Sequence, residues 1–429
     1  MEQASLESGA QDAQEQMPDW KKRVAIFLTG QTISTFGSFL VQYAILWHLT
    51  LTTKSGGVLA LAAIFGFLPQ AIVSIFAGVW ADRMNRKWMI MIADSMIALT
   101  TLALALLMLS GVDDLWLIFA VMAARSVGAG FQMPAISALI PQIVPGDQLM
   151  RINGINSSIQ SALSLLAPVA AAGVYATMSL TAILFIDVVT AVIGVFLLAT
   201  IAVPTLARVS SAERPSYFGD LKDGMTYIFN HQLVRWVMVI FGLVFLLIVA
   251  PSNLSPLMVV RTFGSEVWML TVLELAFGLG MVLGGALMAT LGQKLDRIKM
   301  IIGSSVLFGV LAVGLGFTTN LIIYYVLFFV IGLAVPAFST SAMTLLQETV
   351  EPERQGRVFG FVGIVMAVAM PLGMAVLGPL ADIVSVELLL VVTGAATVVI
   401  AVAAIALPSG RRAMAAAHSS TGMGSESTS

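Results

Sequence analysis

Four ionisable side chains stand within long apolar stretches of this 429-residue sequence: Asp94, Arg125, Asp187 and Glu274. A charge facing hydrocarbon costs about 2.5–3.5 kcal/mol on insertion scales, so each of the four is expected to face protein or a wet cavity. A carboxyl group held there can exchange a proton with water, and a guanidinium can balance a carboxylate. The chemistry on offer is protonation and charge compensation. There are no cysteines, and His48, His231 and His418 lie scattered near segment ends without metal-ligand spacing. No nucleophile–base set, metal or cofactor is expected, and the chain does not read as an enzyme. The glycine runs follow no strand and no phosphate-binding loop motif occurs, which argues against a nucleotide as the driving ligand.

What must position these groups is a set of membrane-spanning helices. Hydrophobic residues make up 59% of the sequence and charged ones 10%, against roughly half and a quarter in soluble domains. Too few polar residues remain to cover a soluble surface, so the lipid bilayer is the expected solvent. A spanning helix needs about 20 apolar residues. Twelve such runs are marked, at 24–50, 58–81, 88–110, 115–139, 153–176, 179–203, 233–259, 267–291, 299–318, 321–345, 358–381 and 385–407. They lack strict alternation, and open sheet edges cannot face lipid, so the spans are helical. Connectors such as "TTKSGG", "ADRMNRK", "PGDQLMR" and "VEPERQGR" carry turn residues or charge. The polar N-terminal tail, 1–23, leads directly into a full-length span and does not read as a cleavable signal.

Orientation follows from lysine and arginine. Of the 21 such residues, Lys54 and Arg261 fall in connectors on one side, Arg125 lies within a span, and all others fall on the opposite side. The rule places that richer side in the cytoplasm, with both termini there, including the tail at 408–429. The expected setting is the cell membrane, inner or plasma, of a bacterium. A polar interval at 204–232 divides the spans six and six, into bundles at 24–203 and 233–407. Within it, Leu221, Met225 and Ile228 recur at helical spacing opposite Asp220, Lys222 and Asp223. That pattern predicts an amphipathic helix over 217–229 on the inner membrane surface, and a solvated linker helix fits it as well. The halves repeat: Pro134-Ala135 matches Pro336-Ala337, and Pro168 matches Pro371. Equal topology implies a parallel repeat about an axis along the membrane normal, with a substrate site between the halves near the midplane. The net charge of −2 carries no basic stripe, so no nucleic-acid partner is expected.

Between the second and third spans, "GVWADRMNRK", residues 78–87, resembles the loop signature of the major facilitator superfamily, Gly-x-x-x-Asp-Arg-x-x-Arg-Lys. Asn85 stands where many members have glycine, and asparagine also tolerates a left-handed turn. The stretches "GQTIS…LWHLT", "FGFLPQA", "RSVGAGFQMPA", "FIDVVTAVIG" and "AMPLGMAVLGPLAD" are similar to the macrolide-efflux branch of drug–proton antiporters, and the likeness covers about residues 24–407. It implies an all-α membrane fold of twelve transmembrane helices in two pseudo-symmetric six-helix halves. It also implies a cytoplasmic conformational latch built on Gly78, Asp82, Arg83, Arg86 and Lys87, in which the Asp82 carboxylate faces a helix end of the other half. The plainer alternative is that Arg83, Arg86 and Lys87 only fix topology. Acids count little for topology, so Asp82 favours the latch. Asp94, close to the signature, is expected to brace the same network.

Glu274 stands isolated among apolar residues, about 10 Å from the outer end of the eighth span at helical rise, and the similar branch carries an acid here too. It is the first candidate for proton coupling, ahead of Asp187, for which a structural hydrogen bond is an equal alternative. Arg125, about 15 Å into the fourth span, is the expected partner or charge balance. In the first span Gln31, Ser34, Ser38 and Gln42 form one polar helical stripe, and in the seventh Asn253 sits between Pro251 and Pro256. These are candidates for the substrate cavity, with helix packing as the alternative. Gly278, Gly280, Gly284 and Gly285 read as close-packing surface. The sequence predicts a monomeric transporter exporting a mid-sized amphipathic, macrolide-like compound in exchange for protons. Export of an endogenous siderophore or peptide, import, or a non-transporting scaffold or sensor remain the alternatives. Short tails and an intact loop signature speak against the last.

Overall fold

The computed structural model describes residues 19–203, 217–292 and 295–406. Among them, twelve helices are long and apolar enough to cross a membrane, and no strand occurs. In chain order these spans are Trp20–Thr53, Gly56–Ser74, Arg86–Leu109, Leu115–Ile143, Gly146–Thr177 and Leu180–Ala199, then Gln232–Thr262, Val267–Leu291, Arg297–Phe317, Leu321–Thr349, Arg354–Ile383 and Val386–Ala406. The second helix continues beyond its apolar window as far as Arg83.

Side-chain caps set where several of these helices begin. Ser179 accepts from the Ala182 N–H, Asp296 from the Lys299 N–H, and Asn320 from the N–H groups of Ile322 and Ile323. Each satisfies a first-turn donor that has no partner inside its own helix. Two stretches expected as connectors are largely helical. In "PGDQLMR" a 3₁₀ turn at Gly146–Gln148 leads straight into the helix Leu149–Thr177. In "VEPERQGR", Pro352 opens the helix Pro352–Ile383. Charge alone does not end a helix, and proline at a first helical position has a preset φ and no orphan N–H.

The seventh span is not one continuous helix. It divides into Gln232–Leu247, Val249–Asn253 and Ser255–Thr262. Pro251 and Pro256 each remove a backbone donor and crowd the carbonyl four residues back, which breaks the ladder. Pro134, Pro168, Pro336 and Pro371, the repeat prolines, all sit inside unbroken helices.

The described residues form two compact units, 19–49 with 61–203, and 50–60 with 217–406. In the first, the third span packs along the fourth and sixth, and Phe27, Ile90, Leu139, Ile143 and Leu198 belong to its buried apolar core. In the second, the eighth span packs along the tenth and the ninth along the twelfth. A Cβ on Gly280 would lie 2.2 Å from the Phe329 carbonyl oxygen, and one on Gly332 2.3 Å from that of Phe277. Glycine here lets backbones approach, as small residues do in membrane helix pairs. Gly284 belongs to the same contact, whereas Gly285 faces open space. Gly130, offset from Gly332 by the 202 residues that separate Pro134 from Pro336, likewise packs tightly, on Val73 of the second span.

The helix expected in the linker is present as Tyr217–Asn230 and packs on the eleventh span. Ile228 is buried and Met225 exposed. A Cβ on Gly224 would touch Arg357 and Phe361 at 3.1 Å, and Asp223 pairs with Arg357 at 3.5 Å. The packed side therefore runs through Gly224 and Ile228, with Met225 outside it.

Candidate functional site

Two polar clusters are buried in the first unit, and each surrounds one of the acids. Asp94 of the third span is 2% exposed. Gln31 Nε2 donates to its Oδ2 at 3.5 Å, Ser34 Oγ donates to Oδ1 at 3.4 Å, and Gln132 Nε2 also donates to Oδ1. All three partners are neutral. Asp94 therefore departs from its expected place bracing the charged loop. It stands eight positions along the helix from Arg86, about 12 Å, and its partners come from the first and fourth spans.

The second cluster is charge-balanced. Asp187 of the sixth span is fully buried and forms an ion pair with Arg125 Nη1. Ser38 Oγ donates to Asp187 Oδ1 at 3.1 Å, and Thr101 Oγ1 donates to Oδ2 at 3.2 Å. Arg125 Nη2 reaches the Ser38 carbonyl at 3.3 Å, and Nη1 also meets Thr101 Oγ1. Close approach of the first and sixth spans makes this possible. A Cβ on Gly37 would fall 3.3 Å from Asp187 Cα, and one on Gly194 2.9 Å from Ser34 Cβ. Buried charges demand such compensation, since an uncompensated one is strongly destabilising.

The polar stripe of the first span thus splits by role. Gln31, Ser34 and Ser38 point at the two acids of their own unit, whereas Gln42 is exposed and makes no hydrogen bond among the described residues. In the second unit Asn253 Nδ2 donates to the Val249 carbonyl at 3.3 Å, satisfying backbone in the broken span. Glu274 is partly buried and makes neither a hydrogen bond nor an ion pair among the described residues. It is an acid with no dedicated partner, in contrast to Asp187.

The loop signature is fastened by its basic end. Lys87 Nζ donates to the carbonyls of Ala199 and Ile201 at 2.7 Å each, at the end of the sixth span. A lysine there meets orphan carbonyls and the negative end of the helix dipole. Gln142, with its amide oxygen turned to the guanidinium, accepts from Arg86 Nε and Nη1 at 3.0 Å. Asn85 does not use the left-handed turn that its replacement of glycine suggests. It is extended, at φ −70° and ψ 115°, and its Oδ1 accepts from the Lys87 and Trp88 N–H groups as a helix cap. The side chains of Asp82 and Arg83, and Gly78, lie outside the described ones.

Sequence reasoning missed Gln132 and Thr101. Gln132 had a signal, an amide among apolar residues in "RSVGAGFQMPA". Thr101 had none, because a helical threonine commonly bonds its own backbone, as Thr101 also does to the Ile97 carbonyl at 2.8 Å.

Twelve helices of membrane-spanning length among the described residues, with acids and a base inside them, define a multi-pass membrane protein. A family model described as transmembrane secretion effector matches residues 18–425. Macrolide efflux protein A of Streptococcus pyogenes is 31% identical over 392 residues, covering 90% of this chain and 96% of that protein. Among solved structures, the nucleoside transporter NupG superposes with a TM-score of 0.71 at 15% identity, over 90% of this chain and 99% of that one. A bacterial homolog of the human lysosomal transporter Spinster gives 0.66 at 14% identity, over 90% and 95%. The chain belongs to the major facilitator superfamily, in its macrolide-efflux-like branch.

Proposed function

We propose that this protein exports a mid-sized amphipathic compound of the macrolide class in exchange for protons, by alternating access of bundles 24–203 and 233–407, with both termini in the bacterial cytoplasm. The observation that carries the substrate class is the similarity to a macrolide efflux protein along nearly the whole of both chains. Proton coupling draws its support from Glu274, a partly buried acid of the eighth span without hydrogen bond or counter-charge among the described residues. Such a group can be neutral in one conformation and ionised in the other. Asp187, neutralised by Arg125, serves as a fixed charge pair and moves a proton only if that pair opens. Asp82, with Arg83 and Gly78, is assigned to the inner latch.

Susceptibility of cells tests this directly. A macrolide-sensitive bacterium expressing the chain is expected to tolerate more macrolide than cells with an empty vector, and Glu274→Gln to lose that tolerance at equal membrane abundance. Unchanged susceptibility to macrolides would remove the substrate class. Full tolerance with Glu274→Gln would remove Glu274 from the coupling.

A further inference from the structure

The first and second spans turn at residues 54–55, on the side that the lysine and arginine bias reads as outside. Residues 50–60 cluster with the second unit, although the rest of both spans clusters with the first. Asp382, at the end of the eleventh span, is what meets this turn. Its Oδ1 accepts from the Gly56 N–H at 2.7 Å, and its Oδ2 accepts from the Gly57 N–H and from Ser55 Oγ, both at 2.8 Å. Those N–H groups are first-turn donors of the second span, with no acceptor in their own helix, and a carboxylate suits a helix N-terminus.

Arg261, at the end of the seventh span, closes the other side. Its Nη2 donates to Asp382 Oδ1 at 2.9 Å and its Nη1 to the Ala381 carbonyl at 2.6 Å. Nε and Nη2 also donate to the Lys54 carbonyl, at 3.0 and 2.6 Å. Lys54 is held at φ +51°, a left-handed conformation that persists in a non-glycine residue when its surroundings fix it. The helices close on small residues, with only the Cβ atoms of Ala60 and Ala381 beside the two glycines. A Cβ on Gly56 would lie 2.3 Å from the Gly378 carbonyl oxygen, and one on Gly378 2.5 Å from that of Gly56. Asp382 and Arg261 remain 34% and 30% exposed, so water can replace these bonds when they part.

We propose that Asp382, Arg261 and the turn Lys54–Gly57 form an outer clasp, fastened in this conformation, that parts each time the transporter opens to the outside. The clasp is a device distinct from the loop signature on the cytoplasmic side, and it rests on the alternating access proposed above. A static helix cap would need only Asp382 and the two N–H groups. The added guanidinium, the carbonyl of Lys54 and its left-handed backbone make a release point at the turn, where the chain passes from one unit to the other.

The natural chain has no cysteine, so introduced thiols report without background. Ser55→Cys with Asp382→Cys, joined by a short reducible bifunctional thiosulfonate, is tested on the full chain in vesicles with a labelled macrolide. Cross-linking is expected to lower transport to the level of protein-free vesicles, reduction to restore it, and the single variants to be unaffected by the reagent. A cross-linked protein that transports at its reduced rate overturns the clasp. A second readout needs no substrate: Ser55→Cys labelled by a membrane-impermeant maleimide. Adding Asp382→Asn, or Arg261→Gln, is expected to speed labelling several-fold, and an unchanged rate with both overturns the clasp as well. Faster labelling in a protein that moves no macrolide would fault the substrate reading and leave the clasp standing.

Discussion

Asp187 and Arg125 stand 62 positions apart in sequence and meet in the interior of one unit, with Ser38 and Thr101 completing their hydrogen bonds. Arg125→Leu leaves a buried carboxylate unpaired, which costs about 3–5 kcal/mol. The expected outcome is a large fall in thermal stability in detergent, most of it recovered in Arg125→Leu/Asp187→Leu, where neither charge remains. If the double variant is as unstable as the single one, the pair is not the reason for either residue. The identity of these groups was legible in the sequence, because any charge inside an apolar run is conspicuous. Their partners were not. Asp94 and Asp187 look alike in sequence, yet one is held by neutral side chains and the other by a guanidinium. That difference depends on which helices pack, and no spacing within a helix encodes it.

Glycine distribution governs how the helices come together. Gly280 meets the Phe329 carbonyl across the contact between the eighth and tenth spans, whereas Gly285 has nothing within reach. Gly280→Ala is expected to destabilise by about 1–3 kcal/mol through overpacking. Gly285→Ala is expected to be neutral or to gain up to about 1 kcal/mol from helix propensity. Paired melting curves of the two variants separate these effects, and equal losses would contradict the packing assigned to Gly280. Composition and run length made the twelve helices visible, but the seventh was expected as one run, 233–259, and its break at Pro251 and Pro256 is a finding of the structure. Helix ends were less visible, since Pro352 and the turn at Gly146–Gln148 start helices inside charged connectors. Lys87 shows the same limit: a topology-setting lysine by its sequence, it caps the sixth span by its position.

At the scale of the molecule, composition and the length of the apolar runs carried the all-helical, twelve-span fold a long way. Residues 50–60 lie in the first half by sequence and cluster with the second unit. The proposed cycle couples export of a macrolide to inward proton flow. Acid-lumen vesicles holding the purified protein provide the test, with protein-free vesicles as the baseline because macrolides carry a basic amine. Labelled macrolide should accumulate above that baseline and drain when a protonophore collapses the gradient. Accumulation no greater than in protein-free vesicles, or accumulation above them that persists after the gradient is gone, would contradict proton-coupled macrolide export.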